Sequence, residues 1–448
     1  MKRSNIIFAG FMLFSLFFGA GNLIFPPLLG MEAGDGFGPA IIGFLITGVL
    51  LPIMAIVAVA LSEDGLVSMG QRVHPVFGVA FAVIIYMSIG AFYGIPRASS
   101  VAYELGFKQI FNVESSLVLA IFSIVFFGIT YLISLNPKKI VDRIGQYLTP
   151  LLLLVLSVLV VRAFFTFENP GAPAAEKYTG SPLVTGILEG YFTMDAVAAL
   201  AFGIVIINAL KDKGAETKGE LVKGTFGAVL IAGLGLVAVY FSLGWIGRVI
   251  PGGSGLEDGA EILTHSANLL FPAAGGLLFG IIVLLACLTT CVGLISACSR
   301  FFNEIYPNIA YSTYAGIFVL IGLLVSNLGL DLILELALPL LVFIYPIAIV
   351  LIVLSLVERV TGESRKMYQA AVFVTAVYAL YEVLISIGIE SETVSLLLGQ
   401  TPFFEQGLGW MVPAFIAGAA GYGIDRYKGR AANGKKRKPA VQFNDDIK

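Results

Sequence analysis

The chain has 448 residues, of which 58% are hydrophobic and only 12% are charged, and its formal net charge is −2. Soluble proteins carry about 25% charged residues, so this composition excludes a single water-exposed globule, and the mean hydropathy of +0.93 indicates that lipid is the main solvent. The near-neutral charge balance argues against nucleic acid as a partner, because binding to phosphates requires clustered cations.

Twelve stretches are apolar and long enough to cross a bilayer, which takes roughly 20 residues in a helix. We therefore predict an all-α integral membrane protein that passes through the lipid bilayer twelve times. The predicted spans are about 6–30, 38–61, 77–100, 115–135, 146–166, 183–210, 222–247, 270–299, 312–329, 332–357, 368–389 and 408–425.

The lysine and arginine residues predict the orientation of these spans. With the N-terminus in the cytoplasm, 22 of them fall on the cytoplasmic side and five on the outer side. This asymmetry follows the positive-inside rule and requires an even number of spans. Both termini are therefore predicted to be cytoplasmic, and the basic tail 426–448 is interpreted as a solvated topology anchor.

The first span contains a sequence that disfavours a continuous helix. No ionisable side chain occurs between Ser4 and Met31, and the sequence FFGAGNLIFPP occupies 17–27. Glycine permits unusual backbone angles, and the two prolines fit the first turn of a new helix. We predict a helix that stops near Phe18 and restarts near Asn22, so that free carbonyls can bind a small cation and the new N-terminus a carboxylate. The alternative is a Gly-Ala patch that packs against a neighbouring helix.

A basic residue lies near the predicted outer end of the third span. Arg97, in the sequence YGIPRASS, is a candidate for an outer gate in which it pairs with Glu104 or Glu189. The alternative is that its side chain extends to the membrane surface.

The sixth span carries a carboxylate within apolar sequence. Asp195 lies in EGYFTMDAVAALAFG, which also contains Gly190 and Gly203. An acid inside the membrane costs roughly 2.5–3.5 kcal/mol on insertion scales, so Asp195 is a functional candidate. The alternatives are a helix cap at a break and a neutral buried acid.

Spans one and six are five helices apart, which reverses the direction through the membrane. Two broken helices so related predict an inverted repeat with the site at its interface.

The eighth span contains candidate oxygen ligands for a cation. In LACLTTCVG, the carbonyl of Ala286 and the hydroxyls of Thr289 and Thr290 share one helical face. Together with carbonyls from span one, they predict an oxygen cage suited to a hard monovalent cation. The alternative is that the threonine hydroxyls bond to their own helix.

The motifs FFGAGNLIFPP, GYFTMDAVAALAFG and YGIPRASS resemble the branched-chain amino acid:cation symporter family of bacterial inner membranes, over nearly the whole chain. The resemblance implies a leucine-transporter-type fold, with a five-plus-five inverted repeat, broken helices 1 and 6, and two extra helices. Its parts would be a first repeat at 1–167, a second repeat at 183–357, the extra helices at 368–425 and the tail at 426–448.

The resemblance also implies roles for the residues that match the motifs of this fold. The implied substrate-binding residues are Gly19, Ala20, Gly21, Asn22, Leu23, Phe192, Thr193 and Asp195. The implied Na⁺ site consists of Ser15, Phe18 and Ala286, through their carbonyls, and Thr289 and Thr290. Asp195 departs from the neutral residue of that fold, and its carboxylate is left with three alternatives: replacing a second Na⁺, binding the substrate ammonium, or titrating with H⁺.

The expected function is the uptake of leucine, isoleucine and valine, coupled to Na⁺ by alternating access, with coupling to H⁺ as the alternative. An enzyme is not expected, because no grouping of histidine, cysteine and serine supplies a nucleophile or a metal site. A channel is disfavoured because no pore motif repeats. The expected partners are a small amino acid and the bilayer, without an obligatory protein partner.

Overall fold

The computed structural model describes residues 2–62, 65–111, 113, 115–136, 139, 141–168, 173–252, 255–256 and 258–427. Within these ranges all regular secondary structure is helical, which confirms the predicted all-α class. The predicted cytoplasmic anchor lies outside the described residues from 428 onward.

The first ten helices cover the predicted spans one to five. Stretches of π-helix continue several of them, at Ile46–Leu50, Met87–Gly94, Ala102–Phe107 and Val141–Leu148. The ten helices are α1 (Arg3–Phe17), α2 (Ala20–Ala33), α3 (Phe37–Leu45), α4 (Leu51–Leu61), α5 (Gly65–Gln71), α6 (Pro75–Tyr86), α7 (Ile95–Val101), α8 (Lys108–Phe111), α9 (Ser116–Ser134) and α10 (Thr149–Thr166).

The remaining helices cover the predicted spans six to twelve. They are α11 (Glu176–Thr179), α12 (Pro182–Phe192), α13 (Asp195–Asp212), α14 (Lys218–Val249), α15 (Gly259–Leu270), α16 (Gly275–Ile305), α17 (Tyr311–Ser326), α18 (Leu330–Thr361), α19 (Arg365–Ser386), α20 (Glu392–Leu398) and α21 (Met411–Tyr427).

The number of membrane spans differs from the prediction. In the described chain, eight helical segments are long and apolar enough to cross a membrane, and a ninth results if α12 and α13, which bend by 48°, form one span. Helices α1 and α17 are apolar but have only 15 and 16 residues. At 1.5 Å per residue such helices cover about 24 Å or less of a hydrocarbon layer about 30 Å thick. The predicted count of twelve is therefore not confirmed.

The chain divides into two compact units. Unit 1 comprises residues 1–61 and 85–338, and unit 2 comprises 62–84 and 339–448. Unit 1 contains both broken helices and all of the predicted site residues. In unit 2, α19 packs against α21, and the carboxylate of Asp425 accepts hydrogen bonds from the Ser364 hydroxyl and the Lys366 amide, both at 2.8 Å.

Glycine allows the helices of unit 1 to pack at short distance. A Cβ atom at Gly186 of α12 would overlap the carbonyl of Ala40 in α3, and one at Gly43 would overlap the carbonyl of Leu183. Helix α14 approaches α2 in the same way, through Gly247. Close backbone approach through small residues is the usual source of helix association in lipid. These contacts fix α2 and α12, which are one half of each broken helix.

Candidate functional site

The first span is broken at the predicted position. Helix α1 ends at Phe17 and α2 begins at Ala20, so Phe18 and Gly19 lie between the two helices. The amide of Gly19 donates to the carbonyl of Phe17 at 2.8 Å instead of continuing the α-helical ladder to Ser15. The last carbonyls of α1 are therefore available to other groups, as at any helix end.

Asn22 connects the first break to the second. Its side-chain oxygen accepts a hydrogen bond from the amide of Gly19 at 3.3 Å, and its side-chain nitrogen donates to a carboxylate oxygen of Asp195 at 2.6 Å. The same nitrogen contacts the hydroxyl of Tyr240, a fully buried residue of α14. Asn22 was predicted as a substrate ligand, but Tyr240 was not, because a tyrosine in a long apolar helix gives no signal in the sequence.

The sixth predicted span is broken between α12 and α13. Thr193 and Met194 separate the two helices, and Met194 has a φ of +59°. This left-handed conformation is unfavourable for a residue with a side chain, so surrounding contacts must hold it in place. Asp195 follows directly, in the first turn of α13, where the helix dipole favours a negative charge.

The threonines of α16 lie against the end of α1. The hydroxyl oxygen of Thr289 is 3.1 Å from the carbonyl oxygen of Ser15 and 3.0 Å from that of Ala286. The hydroxyl oxygen of Thr290 is 3.3 Å from the carbonyl oxygen of Ser15 and 3.2 Å from that of Leu16. Two hydroxyls and three carbonyls thus converge, and Leu16 joins the set predicted from the sequence.

One cavity of about 80 Å³ connects the two breaks. It is lined by residues of α1, α2, α7, α13 and α16 and of the π-helical stretch Met87–Gly94. The predicted site residues that line it are Gly19, Gly21, Asn22, Arg97, Thr193, Asp195 and Thr290.

Other predicted residues do not line this cavity. Phe192, one of the implied substrate-binding residues, is 47% exposed and packs against Tyr191. The apolar lining comes instead from residues that the sequence reading missed, among them Ile89, Phe202 and Leu294. Leu23 and Phe18 are buried outside the lining, and Ala20 begins α2.

The acids considered as partners of Arg97 pair with lysines. Glu104 bonds to Lys108 at 3.3 Å, and Glu189 bonds to Lys177 at 2.9 Å. The ammonium of Lys177 also lies 2.6 Å from Glu32, near the end of α2. Lys177 therefore joins α2 to α12, one half of each broken helix; we call these three side chains, Glu32, Lys177 and Glu189, the Lys177 clamp.

The pKa of Lys177 describes the charge state of this lysine. Burial lowers this pKa, but hydrogen bonds to Glu32 and Glu189 outweigh the effect, so the pKa is raised above its ordinary value. A raised pKa stabilises the folded state fully at pH values below the ordinary pKa of lysine, and that stabilisation is lost only as the pH rises through the folded-state pKa. The ammonium group of Lys177 is therefore charged throughout the physiological range.

Replacing Lys177 by methionine is expected to loosen the Lys177 clamp, because the carboxylates of Glu32 and Glu189 then lose the cation between them. Amide hydrogen exchange in α12 around Glu189 should accelerate, by about fivefold at most, since partly exposed ion pairs contribute about 1 kcal/mol or less. Exchange mass spectrometry of the purified protein measures this rate. Lys177→Arg serves as the charge-conserving control, and equal exchange in all three proteins would show that the clamp adds no stability.

Comparisons with known sequences find relatives over nearly the whole chain. The sequence model of the family described as "Branched-chain amino acid transport protein" matches residues 2–428. The chain is 42% identical over 430 residues to the branched-chain amino acid permease BrnQ of Bacillus subtilis, covering 94% of this chain and 97% of the relative. It is 41% identical over 443 residues to the permease BrnQ of Corynebacterium glutamicum, covering 98% of this chain and 100% of the relative.

Solved structures share the fold at low sequence identity. MHP1, a nucleobase-cation-symport-1 family transporter solved in a closed conformation with bromovinylhydantoin, has a TM-score of 0.62 at 14% identity, with 95% of each chain covered. A manganese transporter mutant of Eremococcus coleocola has a TM-score of 0.58 at 14% identity, with 95% of this chain and 94% of that chain covered. The transporter fold that the resemblance to the symporter family implies is therefore confirmed.

Proposed function

This chain belongs to the branched-chain amino acid transport protein family, and we propose that it is a symporter that takes up leucine, isoleucine and valine together with Na⁺. The relatives are permeases for branched-chain amino acids, which supports this class of substrate. We place the protein in a bacterial inner membrane with both termini in the cytoplasm. We also propose that spans one to five and six to ten form an inverted repeat, in which α1–α2 corresponds to α12–α13.

The observation that carries the proposal is the convergence of oxygen atoms at the first break. Hard monovalent cations favour several uncharged or weakly charged oxygen ligands. Thr289 and Thr290 already lie at hydrogen-bond distance from the end of α1. In the proposed Na⁺ site, their hydroxyls turn lone pairs toward the ion beside the carbonyls of Ser15 and Ala286. The carbonyl of Phe18 is the remaining proposed ligand.

The substrate is proposed to occupy the cavity between the breaks. The amides at the start of α2, around Gly21, would face the carboxylate of the amino acid, as helix N-termini commonly do. Asp195 and the carbonyls of both breaks would face its ammonium group. The apolar wall around Phe202 would accept the branched side chain. Because one methylene of misfit is worth only about 1–3 kcal/mol, all three branched amino acids should be accepted.

A single coupled ion supplies enough energy for uptake. One positive charge that moves down a potential of 100 mV releases about 2.3 kcal/mol. A tenfold ion gradient adds about 1.4 kcal/mol. The sum supports roughly 500-fold accumulation of substrate.

The second candidate is coupling to H⁺ in the same fold. It is favoured by Asp195, whose carboxylate lines the cavity and accepts a hydrogen bond from the uncharged side-chain amide of Asn22. In this version the carboxylate binds a proton on the outer side and releases it on the inner side.

Transport by purified protein in proteoliposomes tests the proposal. Leucine uptake is measured with an inward Na⁺ gradient, with an inward H⁺ gradient and with neither, at a fixed membrane potential. Accumulation driven by Na⁺ alone is expected. Equal uptake with and without the Na⁺ gradient would reject Na⁺ coupling, and accumulation that follows only the H⁺ gradient would establish the second candidate. Isoleucine and valine should compete, whereas lysine and glutamate should not.

A further inference from the structure

Arg97 places a guanidinium group inside the cavity, beside the first break. The residue lies on α7 and is partly buried. Its Nη2 atom is 3.2 Å from the position that a Cβ atom would occupy on Gly21. The guanidinium therefore lies against the first turn of α2, and glycine at that position leaves room for it.

The side chain of Arg97 is held by an aromatic residue. One guanidinium nitrogen donates to the hydroxyl of Tyr93, one turn earlier, and the guanidinium carbon lies 5.1 Å from the centre of the same ring. Among the described residues, no acid forms an ion pair with Arg97, and Glu104 pairs with Lys108. A guanidinium has five N–H donors, so most of them remain available to a ligand in the cavity.

The same cavity contains one charge of opposite sign. Asp195 lines the cavity, and one of its carboxylate oxygens accepts a hydrogen bond from Asn22. Asp195 and Arg97 nevertheless do not form an ion pair. Charges inside a membrane are costly unless they are paired. Two opposite charges that share a small cavity without contact are complementary to a ligand that carries both charges.

We propose that Arg97 binds the α-carboxylate of the substrate while Asp195 binds its α-ammonium group, so that together they recognise an amino acid as a zwitterion. A guanidinium can bind a carboxylate through two parallel hydrogen bonds, which fixes the orientation of the ligand. The inference rests on the proposed function, because it assigns the polar contacts of the same substrate. It assigns Arg97 to substrate binding instead of to a gate.

The experiment compares leucine with leucinamide, which keeps the ammonium and the branched side chain but lacks the carboxylate. Binding of both ligands is measured by calorimetry on purified protein in saturating Na⁺, at neutral pH, where most of each amine is protonated. The wild-type protein should bind leucine far more tightly than leucinamide. Arg97→Gln should weaken leucine binding by about 30-fold or more, because one partner of a charged pair is removed. It should leave leucinamide binding unchanged, so that the preference disappears.

Two further variants complete the test. Arg97→Lys should restore part of the preference, since the charge remains but the paired geometry is lost. Lys108→Gln is the matched control, because this basic residue lies on the same helical segment as Arg97, Pro75–Phe111, and pairs with Glu104 outside the cavity lining. This variant should keep the full preference for leucine.

The outcomes separate the inference from the proposed function. If Arg97→Gln keeps the preference for leucine, or weakens both ligands equally, the guanidinium does not bind the carboxylate, and the inference is overturned while the transport of leucine stands. If the wild-type protein binds no branched-chain amino acid, the proposed function fails and the inference fails with it.

Discussion

Replacing both Thr289 and Thr290 by alanine is expected to weaken the activation of leucine uptake by Na⁺. The two hydroxyls lie against the carbonyls of Ser15, Leu16 and Ala286, and they supply side-chain oxygens to the proposed ion site. A hydrogen bond to a charged group contributes about 1.5–3 kcal/mol. Loss of two comparable oxygen ligands should therefore raise the Na⁺ concentration for half-maximal uptake by at least about tenfold. Initial rates in proteoliposomes at graded Na⁺ concentrations measure this value.

The helix of the two threonines also provides the control. Ser296 and Ser299 are buried in α16, and each hydroxyl donates at 2.6 Å to a carbonyl of its own helix. Ser296→Ala with Ser299→Ala removes the same number of hydroxyls from the helix without touching the end of α1, and should leave the Na⁺ dependence unchanged. If the threonine double variant keeps wild-type Na⁺ dependence, α16 has no part in the ion site.

The first break could be predicted from the sequence because its cause is local. Consecutive small residues weaken a helix, and the observed gap at Phe18 and Gly19 lies within the predicted interval. The restart came earlier than predicted, at Ala20. Pro26 and Pro27 therefore lie inside α2 and not in its first turn. Prolines are tolerated inside membrane helices where neighbouring groups satisfy the freed backbone.

The second break was located less accurately, because the same residue type serves two purposes. Gly190 and Gly203 suggested the interruption, but both lie within helices. A Cβ atom at Gly190 would overlap the hydroxyl of Thr47, and one at Gly203 would overlap the side chain of Val59. These glycines permit close packing. The break itself is formed by Met194, whose left-handed conformation depends on tertiary contacts that a single sequence does not reveal.

The remaining parts of the site depend on long-range contacts. The motif containing Arg97 was recognised, but the sequence does not show whether its side chain points to the surface or into the cavity. Tyr240 contacts Asn22 across 218 positions of sequence, and Phe202 reaches the cavity from α13. Such residues resemble any other aromatic residue of an apolar helix. The sequence therefore predicted the backbone features of the site better than its side-chain lining.

Replacing Asp195 by asparagine is expected to reduce leucine uptake by about 30-fold or more while leaving the protein folded. The amide has the same shape as the carboxylate, and its oxygen can still accept the hydrogen bond from Asn22. The negative charge is lost and one acceptor oxygen becomes an NH₂ donor. Removal of one partner from a desolvated charged pair typically costs about 2 kcal/mol or more. Uptake by proteoliposomes across a range of pH, together with the melting temperature in detergent, separates the loss of charge from a loss of stability.

The matched control for this substitution lies at the other end of α13. Asp212 is the last residue of the helix and pairs with Arg300 at 3.2 Å, away from the cavity lining. Asp212→Asn also removes one carboxylate charge from α13, and it should preserve uptake.

The Asp195→Asn variant also distinguishes the two roles considered for the carboxylate. Because asparagine does not titrate, coupling to H⁺ through Asp195 predicts that this variant loses accumulation driven by an H⁺ gradient but still exchanges internal for external leucine. If the carboxylate binds the substrate ammonium instead, exchange is lost as well. Full uptake by Asp195→Asn at every pH would leave Asp195 only a structural role at the second break.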